Sequence, residues 1–283
     1  MINHLVRRRL RTVPAHIPTP SYACTGKVGP SLMSDWSKAY PHDDDTIEKL
    51  RIAGSLAREM LDLTCSLAEP GITTNEIDAM VHDAIIQRGA YPAPLNYMGF
   101  PKSICASNND ELCHGIPNDK VLEKGDLISF DVSLFYNGVF GDNCATILVG
   151  GGTCDLLETT QKSLETAVQA VGPGINLTVI GDTIQRIADA QGFGVNRQFC
   201  GHGIGTIFHA PPLVQHYRNH DSFILQPGHV FTIEPILTEN GTLGFITDSD
   251  GWTVRTKSGE RAAQFEHMVL ITPHGRDILT TVK

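Results

Sequence analysis

One stretch of this sequence occurs twice. Pro70, Gly71, Ile72, Ile77, Val81 and Gly89 are matched by Pro173, Gly174, Ile175, Ile180, Ile184 and Gly192, each 103 residues further on. The same offset carries Gly125 to Gly228 and Asp131 to Glu234, so LISFDVSLF (127–135) aligns with VFTIEPIL (230–237), with an acid at the matching place. Pro-Gly pairs recur by chance, but one constant offset running through a helix and into a strand does not. The chain therefore reads as an α/β (α+β) protein of two related halves packed face to face, each sending carboxylates to a site on the axis between them. A fainter echo, His114-Gly-Ile-Pro117 against His209-Ala-Pro-Pro212, needs an insertion to align.

Within the first copy, Asp45-Thr-Ile-Glu48 gives a helix-start signal. Ile47, Leu50, Gly54, Ala57 and Leu61 then keep helical spacing toward Pro70-Gly71. Thr73-Thr-Asn-Glu76 starts a second helix, with Ile77, Met80, Val81, Ala84 and Ile85 on one stripe and Gly89 as its stop.

The chemistry begins in the strand 127–135. Ile128, Phe130, Val132 and Leu134 share one face, which leaves Asp131 on the other with Ser129 and Ser133. Asn137-Gly138 marks a two-residue hairpin turn, so 136 pairs with 139 and Ser133 stands opposite Asp142. Asp131 and Asp142 are then diagonal neighbours on one face, roughly 7–8 Å apart between Cα atoms. Two carboxylates aimed at one spot repel, and a divalent cation between them resolves the conflict. Two solvated hairpin acids are the bland alternative, and the apolar surroundings weigh against it. Glu234 lies in an apolar strand-like run whose Pro235 points to an edge or a bulge. Glu266 sits inside AAQFEHMVLIT (262–272), another such run. Buried acids need a positive partner, and few lysines or arginines are near them in the sequence. Cys200-Gly-His202-Gly-Ile-Gly205 with Phe208-His209 adds two imidazoles, although a lone histidine in a Gly-rich stretch is more often packed than ligating.

Together Asp131, Asp142, His202, Glu234 and Glu266 form an oxygen-rich set suited to two divalent ions, cobalt, manganese, iron or zinc. Such a pair supports hydrolysis. No Gly-x-Ser-x-Gly elbow and no Walker-type phosphate loop occur, so serine hydrolase and nucleotidase readings lack support.

Charge narrows the partners. The total is −9, yet residues 1–34 hold Arg7, Arg8, Arg9, Arg11 and Lys27 without one acid. An acidic body is a poor nucleic-acid binder. The basic head, dotted with Pro14, Pro18 and Pro20, fits either an organelle presequence or an arm lying across the domain or against a partner. No run suits a membrane span or a secretory signal. Seven cysteines without C-x-x-C spacing suit a reducing compartment and argue against a structural zinc knot.

The motifs FPKSIC (100–105), CHGIP (113–117), FDVSLFYNGVFGD (130–142), CGHGIG..FH (200–209), FTIEP (231–235) and AQFEH (263–267) closely resemble, in order and spacing, those of the type I methionine aminopeptidases. The resemblance covers about residues 46–281, and FPKSIC and CHGIP separate it from prolidase and aminopeptidase P. It implies the pita-bread fold, a catalytic domain over 46–283, and an extension over 1–45 that is dispensable for cleavage because it carries no ligand. It implies removal of an N-terminal methionine before a small second residue. Asp131, Asp142, His202, Glu234 and Glu266 would bind the two metals, with Glu234 also serving the attacking water. His114 would contact the substrate amine or scissile amide, and His209 the carbonyl oxygen. Tyr97, Phe100, Cys105, Phe208 and Trp252 would line the methionine pocket. Asn143-Cys144, Ala262 and Pro94 depart from common family residues, which bears on pocket shape rather than on ligands. The expected partners are nascent polypeptide N-termini, at or near the ribosome. The chain is expected to be a monomer that binds neither nucleic acid nor membrane, in the cytoplasm, with a mitochondrion or other organelle as the alternative. A proline-directed peptidase and a catalytically dead binding module on the same fold are the competing readings.

Overall fold

The computed structural model describes residues 10–29, 35, 39–241 and 244–281. Among the described residues four α-helices appear in two pairs, as the repeat requires. The first pair is α1 (Asp44–Leu67) and α2 (Thr74–Gln87). The second is α3 (Asp155–Ala170) and α4 (Thr178–Gln191). The start signal of α2 is realised in full, because Thr73 accepts from the Glu76 amide while the Glu76 carboxylate takes the Thr73 amide. That of α1 differs from the expectation. Asp43 caps it, accepting from the Thr46 amide at 2.9 Å, so the helix begins before Asp45. The preceding His42 amide is tied to Gly228 O at 2.9 Å, and this long-range contact fixes the backbone at the point of entry.

The hairpin Leu127–Tyr136 and Val139–Leu148 has the expected register, Tyr136 against Val139 and Ser133 against Asp142. Asn137 and Gly138 both take positive φ, 50° and 87°, as a turn matched to strand twist requires. Helix α1 lies directly on this hairpin: a Cβ on Gly141 would meet Ala53 O at 2.3 Å, so only glycine permits the approach. One apolar core joins α1, α2 and the hairpin. A second joins α3 and α4 to Phe231, Ile233, Val269 and Ile271.

Two strands expected to be continuous are broken. Val230–Ile233 lies inside its sheet, between Gly201–Gly203 and His267–Thr272, and Ile236–Thr238 continues in a different sheet. Pro235 therefore marks a crossing between sheets rather than an edge or bulge, at a place where its missing N–H leaves no gap in a ladder. The run around Glu266 breaks likewise, into Ala262–Gln264 and His267–Thr272. Ile233 pairs with His267 and Ile236 with Gln264, one common register, which sets Glu234 and Glu266 opposite each other at the double break.

The described part of the N-terminal arm is anchored on the domain. Ile17 and Tyr22 are buried in the first core, and Arg11 Nε sits 2.7 Å from Oδ2 of the fully buried Asp78 of α2.

Candidate active site

The five expected ligands converge where the halves meet. Asp131 and Asp142 project from the hairpin. Ser133 Oγ, on the same face, stands 2.8 Å from Asp142 Oδ1 and 3.3 Å from Asp131 Oδ1. From the second half, His202 brings Nε2 to 3.5 Å from Asp142 Oδ2 and 3.7 Å from Glu234 Oε1. Its other nitrogen, Nδ1, lies 3.1 Å from Gly203 O. With the proton assigned to Nδ1, the Nε2 lone pair faces the carboxylates, the tautomer a metal ligand needs. Glu234 takes Thr232 Oγ1 at 2.9 Å and Gln264 Nε2 at 3.3 Å, while its backbone amide donates to His216 Nε2 at 3.0 Å. Burial pushes His216 down to about 3, so that lone pair stays available. Glu266 is 3 % exposed and its Oε1 has no hydrogen-bond partner.

Electrostatics show what is needed here. Burial, reinforced by Asp142 and Glu234, holds Asp131 well above the usual carboxylate range. Burial with Asp142, Glu234 and Asp131 does the same to Glu266, and burial pushes Glu234 up to about 7. Burial opposes protonation of His202, but Asp142 and Glu234 outweigh it and raise its pKa. Ligand atoms of Asp142, His202 and Glu266 lie within 4.8 Å of one another. An orphaned buried carboxylate oxygen, like charges crowded together and an imidazole lone pair aimed among them are what a divalent cation would satisfy. The residues present fit the metal.

Beside this cluster lies a cavity of about 900 Å³. All seven residues expected to meet the substrate line it: Tyr97, Phe100, Cys105, His114, Phe208, His209 and Trp252. Asp131 also lines it, joining cavity to carboxylates. Cys105 pairs across the strands with Asp131, and burial keeps its thiol neutral. His114 holds a strained φ of 57°, its ring edge-on to Phe199 and Trp252 at 5.2 and 6.2 Å. Burial pushes it down to about 4. His209 is also held well below its ordinary value, by burial and then by His202 and His114. Its Nδ1 is 2.8 Å from Tyr97 Oη, and its ring lies 4.4 Å from that of His202.

The sequence reading missed Ser133 as a bridge between the two aspartates and Thr232, Gln264 and His216 as supports of Glu234. Ser133 was legible, because the turn register sets it opposite Asp142. His216 carries no local signal, since it reaches Glu234 from a loop. Also missed was the contribution of Thr19, Pro20, Ser21, Tyr22, Val28 and Gly29 to the cavity wall.

Paired α/β halves with four carboxylates and an imidazole at their junction, open to an apolar cavity, define a metal-dependent hydrolase. Residues 48–273 match Metallopeptidase family M24. The chain is 44% identical over 273 residues to methionine aminopeptidase 1D, chloroplastic/mitochondrial, of Arabidopsis thaliana, covering 95% of this chain and 77% of that one. It is 42% identical to methionine aminopeptidase 1 of Saccharomyces cerevisiae, covering 95% and 71%. The crystal structure of methionine aminopeptidase from Rickettsia prowazekii superposes with a TM-score of 0.83 at 39% identity, covering 86% of this chain and all of that one. Prolidase from Pyrococcus furiosus, at 23% identity and a TM-score of 0.69, shares the fold. The chain belongs to metallopeptidase family M24 and, within it, to the methionine aminopeptidases.

Proposed function

We propose that the protein removes the N-terminal methionine from polypeptides whose second residue is small, using two divalent cations held by Asp131, Asp142, His202, Glu234 and Glu266. The observation that carries this reading is the continuity of the buried carboxylate cluster with an aromatic-lined cavity through Asp131. When bound, the cations supply an activated water and a Lewis acid for the carbonyl. Cobalt, manganese, iron and zinc all suit these ligands.

The chain's own groups do the rest. Glu234, held among the ligands, takes a proton from the attacking water and returns it to the departing amine as the C–N bond breaks. With Tyr97 Oη assigned as donor to His209 Nδ1, 2.8 Å away, Nε2–H is left to donate to the carbonyl oxygen as charge builds there. His114, neutral at physiological pH, meets the scissile amide. Phe100, Cys105 and Trp252 enclose the first side chain, and the closeness of the two histidines restricts the second.

Substrate choice tests the proposal. Burying a methionine side chain in this cavity contributes about 1.5–3 kcal/mol relative to leaving it exposed. A branched leucine of similar volume fits the same walls less well, at up to about 1.5 kcal/mol, which corresponds to up to roughly 10-fold in kcat/KM. With manganese or cobalt added, Met-Ala-Ser should be cleaved well ahead of Leu-Ala-Ser and Met-Leu-Ser, and acetylated Met-Ala-Ser not at all. Equal rates for the Met and Leu peptides, or a preference for proline in second position, would overturn the reading.

We propose an organelle rather than the cytoplasm as its place of work. Relatives from Arabidopsis thaliana, Dictyostelium discoideum and Homo sapiens, 44% identical each, carry chloroplastic or mitochondrial in their names. The acid-free head with Arg7, Arg8, Arg9 and Arg11 has presequence chemistry, although residues 1–9 lie outside the described ones. Fusing residues 1–45 to a fluorescent protein should carry it into mitochondria or plastids, and a purely cytosolic signal would refute this. The partners proposed are nascent N-termini, without nucleic acid or membrane, met by a monomer.

A further inference from the structure

We infer that the N-terminal arm, through Thr19, Pro20, Ser21, Tyr22 and Val28, forms the subsite for the third and later residues of the peptide substrate. This inference rests on the function proposed above. The cavity is far larger than one methionine side chain fills, and its walls have different origins. Phe100, Cys105 and Trp252 pack together, with His114 against Trp252 and Cys105 paired with Asp131, whereas the arm supplies part of the remaining wall.

Distance connects the two regions. The Tyr97 ring lies 5.1 Å from that of His209, and the Tyr22 ring lies 5.1 Å from that of Tyr97. If His209 holds the first carbonyl, an extended peptide advancing about 3.3–3.6 Å per residue comes within reach of the arm by its third residue.

The arm is held in place to do this. Arg11 pairs with buried Asp78, Thr12 O lies 3.1 Å from His82 Nε2, and Tyr22 Oη donates to Ala93 O at 2.6 Å. Asn96 Nδ2 donates to Ala23 O at 2.9 Å. Asp78 also accepts from the Ser103 and Ile104 amides at 2.7 and 3.3 Å, so one carboxylate anchors both the arm and the segment carrying Phe100 and Cys105. A wall fixed in this way loses little entropy when a peptide docks. Among the described lining residues no lysine or arginine occurs, and the one acid is Asp131. The subsite therefore takes uncharged peptide backbone with small or apolar side chains. Thr19 and Ser21, both exposed, offer hydroxyls to it. This reverses the expectation that residues 1–45 are dispensable for cleavage.

The test is a ratio. For metal-loaded protein, kcat/KM is measured on Met-Ala and on Met-Ala-Ser-Ala. Binding of the two- and four-residue analogues with a reduced first amide is measured by calorimetry. Ser21→Trp and Val28→Trp, each adding bulk at the arm wall, should lower the tetrapeptide-to-dipeptide ratio about tenfold or more, in both rate and affinity. His16→Trp, exposed and outside the cavity lining, should keep the parent's ratio. An arm with a merely structural role would lower both substrates together. Ratios unmoved in both Ser21→Trp and Val28→Trp overturn the inference while leaving the proposed function intact. A parent that cleaves neither peptide overturns both.

Discussion

Asp142→Ala should purify as a folded protein that takes up fewer than two metal ions per chain and cleaves Met-Ala-Ser at about 10⁻⁴ of the parent rate or less. The magnitude follows from losing the metals' two roles, water activation and carbonyl polarisation. Each supplies several kcal/mol of transition-state stabilisation, and each 1.36 kcal/mol is tenfold in rate. The variant folds because the stripped site is already strained by like charge. Asp142 is among the causes that raise Asp131, Glu234 and Glu266, so its removal lets those carboxyls return toward ordinary values.

The same groups give stripped parent protein a definite pH dependence. A carboxyl whose folded pKa lies above its unfolded value binds more protons when folded. The stability it contributes is complete below the unfolded pKa and is lost as pH rises through the folded one. For Glu234 that window runs from 4.5 to about 7, and for Asp131 and Glu266 it also extends upward. The buried histidines His114, His209 and His216, all held below their ordinary value, push both proteins the opposite way over the same range. With chelator present, parent Tm should therefore fall relative to that of Asp142→Ala between pH 5 and 8, and added metal should restore only the parent. Two ions per chain in the variant, or identical Tm slopes, would sink the account.

The centre was legible because its first half is local. Asn137-Gly138 fixes a turn, the turn fixes register, and a period of two places Asp131 and Asp142 on one face. Glu234 and Glu266 were legible as ligands but not in their backbone setting. The apolar pattern runs unbroken through 230–237 and 262–272, whereas the chain changes sheets there. Hydrophobic periodicity reports burial, and both sides of the crossing are buried, so the pattern cannot show a change of partner strand. At the start of α1, Asp43, Asp44 and Asp45 are equivalent caps by type, and His42 bound to Gly228 O decides among them. The arm's place in the cavity wall was not legible for a related reason. Its prolines and small polar residues resemble solvated linker, and its anchors, such as Arg11 with Asp78, span 67 residues. Pairings at that separation leave no mark on local composition.

The histidines should divide cleanly by role. His209→Ala and His114→Ala should cut kcat about 10²–10⁴-fold, the range for a lost oxyanion donor or proton-transfer partner. Both should keep the parent's metal content, because neither ring is placed among the five ligand side chains. His202→Ala should instead lose metal, since its Nε2 faces Asp142 and Glu234 at 3.5 and 3.7 Å. Burial holds His114 at about 4 and His209 well below its ordinary value, so both stay neutral from mildly acidic pH upward. A neutral imidazole has one N–H, and with the Tyr97 hydroxyl assigned as donor to His209 Nδ1 that proton sits on Nε2. Tyr97→Phe should therefore lower kcat by less than His209→Ala and leave KM nearly unchanged, because the donor survives but its tautomer is no longer selected. The outcome that reverses these assignments is specific. It is a metal-deficient His209→Ala together with a His202→Ala that binds two ions and has lost only turnover.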